Sequence, residues 1–153
     1  MINLTAIAFA GTLFSITDFQ GHVLDDTEAF ATNLNPVVGN IKVIPANPDQ
    51  QWSFLATITP NEFNIQHALT QKFLSYAGAP NGSTTWAQTV IDGTNPMAFN
   101  LALVSPSPET FNIVDAKTGL ALTAWSAPVR TSITPVTYEP LQAGAAEQIW
   151  TLA

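Results

Sequence analysis

The chain offers few side chains that could perform catalysis. The densest acidic segment contains Asp25, Asp26 and Glu28, and a carboxylate pair is what glycoside hydrolysis uses. Acids within one turn rarely face a substrate from opposite sides, and Asp25-Asp26 at a strand end is equally typical of an ordinary turn. His22 and His67 are isolated, and no partners for a metal site can be placed beside them. The sequence therefore predicts a non-catalytic protein without metal or other cofactor.

Motifs and composition narrow the function further. No Gly-x-Ser-x-Gly, His-Glu-x-x-His or Gly-x-x-x-x-Gly-Lys motif occurs, and cysteine is absent. Four basic residues face eleven acidic ones, for a net charge of −7. Because so few cations cannot neutralise many phosphates, nucleic acids are excluded as partners and anionic membranes are disfavoured. We expect a cytoplasmic protein, since no signal peptide or disulfide pattern appears. If the protein is released from the cell, we expect release without a classical signal.

The elements that must position any site are short strands. The 153 residues are 46% apolar and only 10% charged, which fits a single domain over residues 1–153 and argues against disorder. Eleven prolines and eight glycines leave little room for ordinary helices. The intervening stretches are rich in Val, Ile, Thr, Phe and Trp, as strands are. Many short strands with frequent turns predict an all-β sandwich or barrel.

An internal repeat defines the architecture. Phe-x-Ile opens three segments at intervals of 49 and 48 residues, and each segment closes on an aromatic residue. The opening residues are Phe14, Phe63 and Phe111, and the closing residues are Trp52, Phe99 and Trp150. The repeats span approximately residues 8–56, 57–104 and 105–153, with about four strands each. Because one repeat cannot bury its apolar face alone, three must close into a pseudo-threefold barrel with a hairpin cap.

The closing motif has its own physical interpretation. In Gln50-Gln51-Trp52 and Gln148-Ile149-Trp150, alternation places Gln and Trp on the same side of the chain. We expect Trp to fill the base of its repeat and the Gln amide to bond backbone groups in the nearby loop. The second repeat has Met97 where the others have Gln. It should keep the packing and lose the amide.

The pattern resembles a known family. A threefold Gln-x-Trp motif, preceded by Phe-x-Ile and a Leu-x-Leu-like strand pair, is similar to that of the ricin-B-type β-trefoil lectins. The third repeat, with 117–123 followed by 147–150, is closest to small cysteine-free mushroom lectins. The resemblance covers essentially the whole chain and implies an all-β, β-trefoil fold. It also implies a cytosolic, often dimeric protein that binds glycans containing galactose or N-acetylgalactosamine and acts in defence.

The resemblance also implies the binding residues. In this family an acid follows the second strand, a platform comes about fifteen residues later, and a polar pair precedes the closing Trp. In the first repeat Asp25 takes the acid position, Asn40 falls near the platform, and Asp49 and Gln50 form the polar pair. The secondary carbohydrate-binding residues are Trp86, Trp125, Tyr138 and Gln148. We rank the first repeat above the third and the third above the second.

Several alternatives stay open at this level. Gln50 and Gln148 can be purely structural residues that order a loop. Trp86 and Trp125 can be half-buried between loops instead of exposed for binding. The β-trefoil also carries protease inhibitors, and loops at 79–82 and 127–130 could enter a protease cleft, with Arg130 suited to a trypsin-like pocket. A degenerate trefoil could also serve only as an interaction or storage scaffold.

Overall fold

Short strands dominate the chain, as its composition predicts. The computed structural model describes residues 11–27, 32–77, 87–129 and 133–153. The strands are β1 (Ile16–Thr17), β2 (His22–Asp26), β3 (Asn35–Ile41), β4 (Trp52–Ala56), β5 (Glu62–His67), β6 (Phe73–Tyr76), β7 (Ala87–Asp92), β8 (Phe99–Pro106), β9 (Glu109–Asp115), β10 (Leu120–Ala124), β11 (Thr134–Pro140) and β12 (Thr151–Leu152). Short 3₁₀ helices span Pro48–Gln50 and Ala146–Gln148. Within the described ranges, no helix has the length and apolarity needed to span a membrane.

The strand pairing repeats three times. Strands β1–β4, β5–β8 and β9–β12 form three four-stranded units, which meet through the antiparallel pairs β4–β5, β8–β9 and β12–β1. The middle strands of each unit form the hairpins β2–β3, β6–β7 and β10–β11. These hairpins pair with one another through β3–β7, β7–β11 and β11–β3, which closes a cap over the barrel. The predicted all-β, β-trefoil fold is confirmed.

Each opening Phe pairs with the closing aromatic residue of its own repeat. Phe14 and Trp52 exchange backbone hydrogen bonds of 2.8 and 2.9 Å, and Phe111 and Trp150 exchange two of 2.9 Å. In the second repeat, Phe63 lies opposite Phe99 in the β5–β8 register. The closing residues Trp52, Phe99 and Trp150 are all buried in one core. The recurring sequence pattern is therefore a recurring contact that closes each unit.

The two closing tryptophans also bond the cap. Trp52 Nε1 donates to the Leu24 carbonyl at 3.0 Å, and Trp150 Nε1 donates to the Leu122 carbonyl at 2.9 Å. Leu24 and Leu122 occupy matching places on β2 and β10, so the two bonds are related by the pseudo-symmetry. Phe99 has no ring donor, so the second repeat lacks the corresponding side-chain bond to the cap.

Replacement of Trp52 or Trp150 by Phe tests this packing. Each change removes buried volume and leaves a buried leucine carbonyl without its indole donor, so we expect each to lower the free energy of unfolding by about 2 kcal/mol. The fold should survive, because the second repeat closes on Phe99. Urea denaturation measures the loss. Trp125→Phe is the matched control, since Trp125 is only half-buried and its loss should cost under about 1 kcal/mol. Equal costs at all three tryptophans would contradict the assignment.

Candidate functional site

Three of the four residues predicted for the first repeat form one hydrogen-bonded group. Asp25 Oδ2 accepts from Gln50 Nε2 at 2.7 Å and from Asn40 Nδ2 at 3.1 Å. Gln50 Nε2 also donates to the Ile41 carbonyl at 2.8 Å, and Gln50 Oε1 accepts from the Val43 N–H at 2.8 Å. Gln50 therefore joins the end of β3 to β2, which is the loop-ordering role that its position predicts.

The four residues predicted for the first repeat differ in their exposure to solvent. Asp25 is 8% exposed and Gln50 is 2% exposed, whereas Asn40 and Asp49 are half-buried. Asp49 lies beside Gln50 in the 3₁₀ helix Pro48–Gln50, whose first turn is capped by the side chain of Asn47. The amide bonds to Asp25 both fall on Oδ2 and do not involve Oδ1. Asn40 and Asp49 are thus the more accessible of the four predicted residues, and the more buried Asp25 accepts a hydrogen bond from Asn40.

The third repeat copies this arrangement with one change. Gln148 Nε2 donates to Thr123 Oγ1 at 3.1 Å and to the Pro140 carbonyl at 3.0 Å, and its Oε1 accepts from the Gln142 N–H at 2.8 Å. Thr123 stands where the first repeat has Asp25. The amide network that orders the loop is therefore retained, while the acid next to it is replaced by a neutral hydroxyl.

A cavity of about 490 Å³ opens beside this third-repeat network. Its volume is typical of sites for small molecules. Trp125 lines it, is half-buried, and donates from Nε1 to Thr137 Oγ1 at 2.9 Å. The other polar side chains that line it are Thr123, Ser126, Glu139, Gln142, Glu147 and Gln148. The structure thus brings two predicted secondary residues, Trp125 and Gln148, to one cavity.

Glu139 is a cavity residue that the sequence reasoning missed. It pairs with Ala121 across the β10–β11 hairpin, and Asn40 pairs with Val23 at the matching place of the β2–β3 hairpin. The available signal was that Glu139 follows Asn40 by the length of two repeats. It was hidden because the residue type changes from an amide to an acid.

The prediction of Tyr138 as an accessible aromatic is wrong. Tyr138 has no exposed surface, and its hydroxyl donates to the Ser75 carbonyl at 2.9 Å. Its ring packs edge-on against Tyr76, with ring centroids 5.3 Å apart. Burial raises the pKa of Tyr138 well above its usual range. A side chain inside the core cannot offer a face to a sugar.

Other predicted residues fall outside the part of the chain that the structure describes. These are Trp86, Glu28, Arg130 and the proposed inhibitory loop at 79–82. The assignment of Trp86 as a binding residue therefore stays a prediction.

The second repeat has a larger cavity of about 870 Å³, lined by Tyr76, Asp92, Asn95, Met97 and others. Asp92 pairs with Phe73 at the place of Asn40 in the first repeat. Its Oδ1 accepts from the Thr94 N–H and Oγ1, both at 2.8 Å. These bonds hold the pKa of Asp92 below its usual range. This repeat keeps an ionised acceptor although it has lost the closing glutamine.

Asp26 lies in the core, unlike its neighbour Asp25. Asp26 and His67 side chains are both fully buried, with His67 Nδ1 3.5 Å from Asp26 Oδ2. Asn35 Nδ2 donates to Asp26 Oδ1, and Thr70 Oγ1 lies 2.9 Å from His67 Nδ1. Because neighbours on a strand point to opposite faces, Asp25 and Asp26 cannot act as a pair on one substrate. The carboxylate-pair interpretation of these two residues is therefore wrong.

Burial also sets the ionisation of this core pair. Burial raises the pKa of Asp26 to about 6, the hydrogen bond from Asn35 opposes the shift, and the charges of Asp25 and Asp49 add to it. Burial lowers the pKa of His67. Near neutral pH, Asp26 thus carries a charge that the folded state disfavours relative to the unfolded chain.

Asp26→Asn tests this ionisation. A raised acid pKa means that the folded protein binds more protons than the unfolded chain between about pH 4 and 6, so the contribution of Asp26 to stability grows as pH falls through that window. The stability of the Asn variant relative to wild type should therefore be highest near pH 8 and fall by roughly 2–3 kcal/mol by pH 4.

Urea denaturation across this pH range measures the difference. His67→Gln is the control, because it removes the opposite effect of the histidine and should leave the Asp26 contribution in place. A stability difference that does not change with pH would show that Asp26 titrates as an ordinary exposed carboxyl.

One sequence comparison relates the chain to a known protein family. Residues 48–139, more than half of the chain, match the sequence model of the family described as ricin-type beta-trefoil lectin domain-like. Curated proteins give no significant match.

Solved structures share the whole architecture. The agglutinin of Rhizoctonia solani is 18% identical with a TM-score of 0.77, over 99% of this chain and 97% of that one. The designed threefold-symmetric protein ThreeFoil is 16% identical with a TM-score of 0.76, over 92% and 97%. The Macrolepiota procera ricin B-like lectin, in complex with lactose, is 20% identical with a TM-score of 0.73, over 93% and 94%. At these identities the likeness shows a common fold.

Proposed function

The chain belongs to the ricin-type β-trefoil lectin domain-like family, and we propose on that premise that it is a non-catalytic carbohydrate-binding protein. Its ligands are glycans with galactose or N-acetylgalactosamine. The observation that carries the proposal is the third-repeat cavity, where the half-buried Trp125 lies beside the Gln148–Thr123 network. The Macrolepiota procera lectin is in complex with lactose, a disaccharide that contains galactose, and this supports the same ligand class.

The chemistry of the two sites suits a neutral sugar. A sugar is held by hydrogen bonds to adjacent hydroxyls and by packing of its apolar face on a side chain. In the third repeat Trp125 supplies the apolar face, and Glu139 and Glu147 supply acceptors. In the first repeat Asn40 and Asp49 are half-buried, and the more buried Asp25 adds a carboxylate that is bonded to Asn40. Hydroxyl donors of the sugar would meet fixed acceptors in both.

Each such site binds weakly, because sugar hydroxyls exchange for water at little net gain. A homodimer that presents several sites would raise the apparent affinity greatly. The homodimer, a cytoplasmic location, a fungal origin and a role in defence are further parts of this proposal. They rest on the resemblance of the sequence to the mushroom lectins.

A glycan array tests the function, and two variants test the sites. We expect binding to glycans with terminal galactose or N-acetylgalactosamine. Asp25→Asn keeps an oxygen acceptor for Gln50 but removes the charge, so it should weaken binding by roughly 1–3 kcal/mol, or about 5- to 150-fold. Trp125→Ala removes the apolar face of the third site and should weaken binding about tenfold. Glu109→Gln, at an exposed position on the β8–β9 hairpin, is the control and should bind as wild type.

The results separate the proposal from its alternatives. A blank array together with tight inhibition of trypsin or a cysteine protease would replace the lectin by an inhibitor. A blank array without inhibition would favour a scaffold. If the protein binds glycans on the array and neither variant weakens this binding while folded, the lectin function stands and both site assignments are wrong.

A further inference from the structure

We propose that Gln20, a residue of the first repeat, is a positioning residue of the third-repeat cavity. The inference rests on the proposed function and deepens it. Gln20 is not among the described residues that line the cavity. Its side-chain amide instead bonds the backbone of the segment that carries Trp125. Gln20 therefore acts on a bound sugar only through that segment.

The side chain of Gln20 bonds two backbone groups of the third repeat. Its Nε2 donates to the Trp125 carbonyl at 3.0 Å, and its Oε1 accepts from the Ala127 N–H at 2.6 Å. Both groups lie just beyond the end of β10 at Ala124. Backbone groups outside a strand need partners, and the amide supplies a donor and an acceptor in one rigid plane. Gln20 thus takes the place that a neighbouring strand would take.

Trp125 is held from two sides. Its N–H donates to the Pro135 carbonyl of β11 at 3.1 Å, and its indole Nε1 donates to Thr137 Oγ1 on the same strand at 2.9 Å. Its carbonyl accepts from Gln20 on the other side. Ser126, which lines the cavity with Trp125, lies between the two residues that Gln20 bonds. Loss of the Gln20 amide would leave the bonds to β11 and release the opposite side of this segment.

The turn that carries Gln20 is itself fixed. Gln20 lies between β1 and β2, where Asp18 Oδ1 accepts from the N–H groups of Gln20 and His22 at 2.8 and 2.9 Å. Asp18 Oδ2 also accepts from Gln20 Nε2 at 3.3 Å, and Asp18 is buried. Gly21 has a φ of 87°, which a glycine adopts without steric cost. The amide is therefore in place before any sugar arrives.

Contacts of the same kind join the other repeats. Lys72, in the turn between β5 and β6, donates from Nζ to Asn33 Oδ1 at 2.6 Å, and Asn33 follows β2 of the first repeat. Lys117, in the turn between β9 and β10, lines the second-repeat cavity. In each case the turn between the first two strands of one repeat reaches the preceding repeat. The Gln20 contact is the form that this arrangement takes at the third repeat.

A fixed platform lowers the cost of binding. A sugar that packs on Trp125 binds only the fraction of molecules in which this side chain is in place, and the apparent Kd rises as that fraction falls. Loss of two hydrogen bonds of ordinary net strength would reduce the fraction several-fold. Gln20 thus sets the affinity of the third cavity through preorganisation of the Trp125 segment.

Two variants remove the bonds in different ways. Gln20→Met keeps the length of the side chain and loses the amide, whereas Gln20→Asn keeps the amide but is one methylene shorter. Binding of methyl β-galactoside is followed by the indole ¹H–¹⁵N resonance of Trp125, assigned with Trp125→Phe. We expect each variant to raise the Kd at this cavity by about three- to tenfold. Gln71→Met is the matched control, because the Gln71 amide bonds the Ala68 carbonyl within the corresponding turn of the second repeat. It should bind as wild type.

Two further measurements separate positioning from a general effect on folding. In the free protein, hydrogen exchange of the Ala127 N–H should become about fivefold faster or more in both Gln20 variants, because its acceptor is lost. The side-chain amide of Asn40 reports on the first-repeat site, and its response to the same sugar should be that of wild type. Urea denaturation shows whether each variant is folded.

The outcomes distinguish this inference from the proposed function. Wild-type affinity at the third cavity in both folded Gln20 variants overturns the positioning role and leaves the lectin intact. An equal loss of affinity at the Asn40 site, or unchanged exchange of the Ala127 N–H, would also overturn it. If methyl β-galactoside does not shift the Trp125 resonance of the wild-type protein, galactose binding in this cavity is wrong, and the positioning role falls with it.

Discussion

The structure depends on the contact between the first and last aromatic residue of each repeat. Phe14 with Trp52 and Phe111 with Trp150 exchange paired backbone hydrogen bonds, and Phe63 faces Phe99 in the same way. These side chains are too large for one four-stranded unit to bury, so three units must share a core. Once they do, the three hairpins pair with one another as a cap.

The closing motif links this core to the surface loops. Its tryptophan bonds the cap backbone, and its glutamine, two residues earlier, orders the adjacent loop through three hydrogen bonds in both the first and third repeats. The second repeat has neither bond, since Met97 and Phe99 give it a buried closure without an amide or an indole. The residue on the second strand of each unit also differs, with Asp25, Ser75 and Thr123 at one equivalent place. Three similar backbones thus carry three different surface chemistries.

Alternation along β2 explains why neighbouring acids have unlike roles. Asp25 supports the amide network of the first repeat, while Asp26 lies in the core beside His67. Burial raises the pKa of Asp26 toward neutrality, and Asn35 compensates by donating to it. Asp25 and Asp26 are therefore on opposite faces of the sheet. Asp25 bonds the amide network, and Asp26 makes a buried contact with a residue of the second repeat.

The amino-acid sequence determined the repeat, the all-β class and the role of the closing motif, because recurring aromatic spacing and Gln-x-Trp record contacts that each unit must make. The family resemblance also assigned Asp25 and Gln50 to one site, and the structure shows that the two side chains are bonded to each other. Only the tertiary structure decided that Tyr138 is core and that its neighbour Glu139 faces the cavity. Side chains alternate between the two faces of any strand. Which face is buried depends on the strands that pair with it, here β10, β7 and β3 beside β11. Those partners are distant in the chain, so no local pattern could reveal which face would be buried.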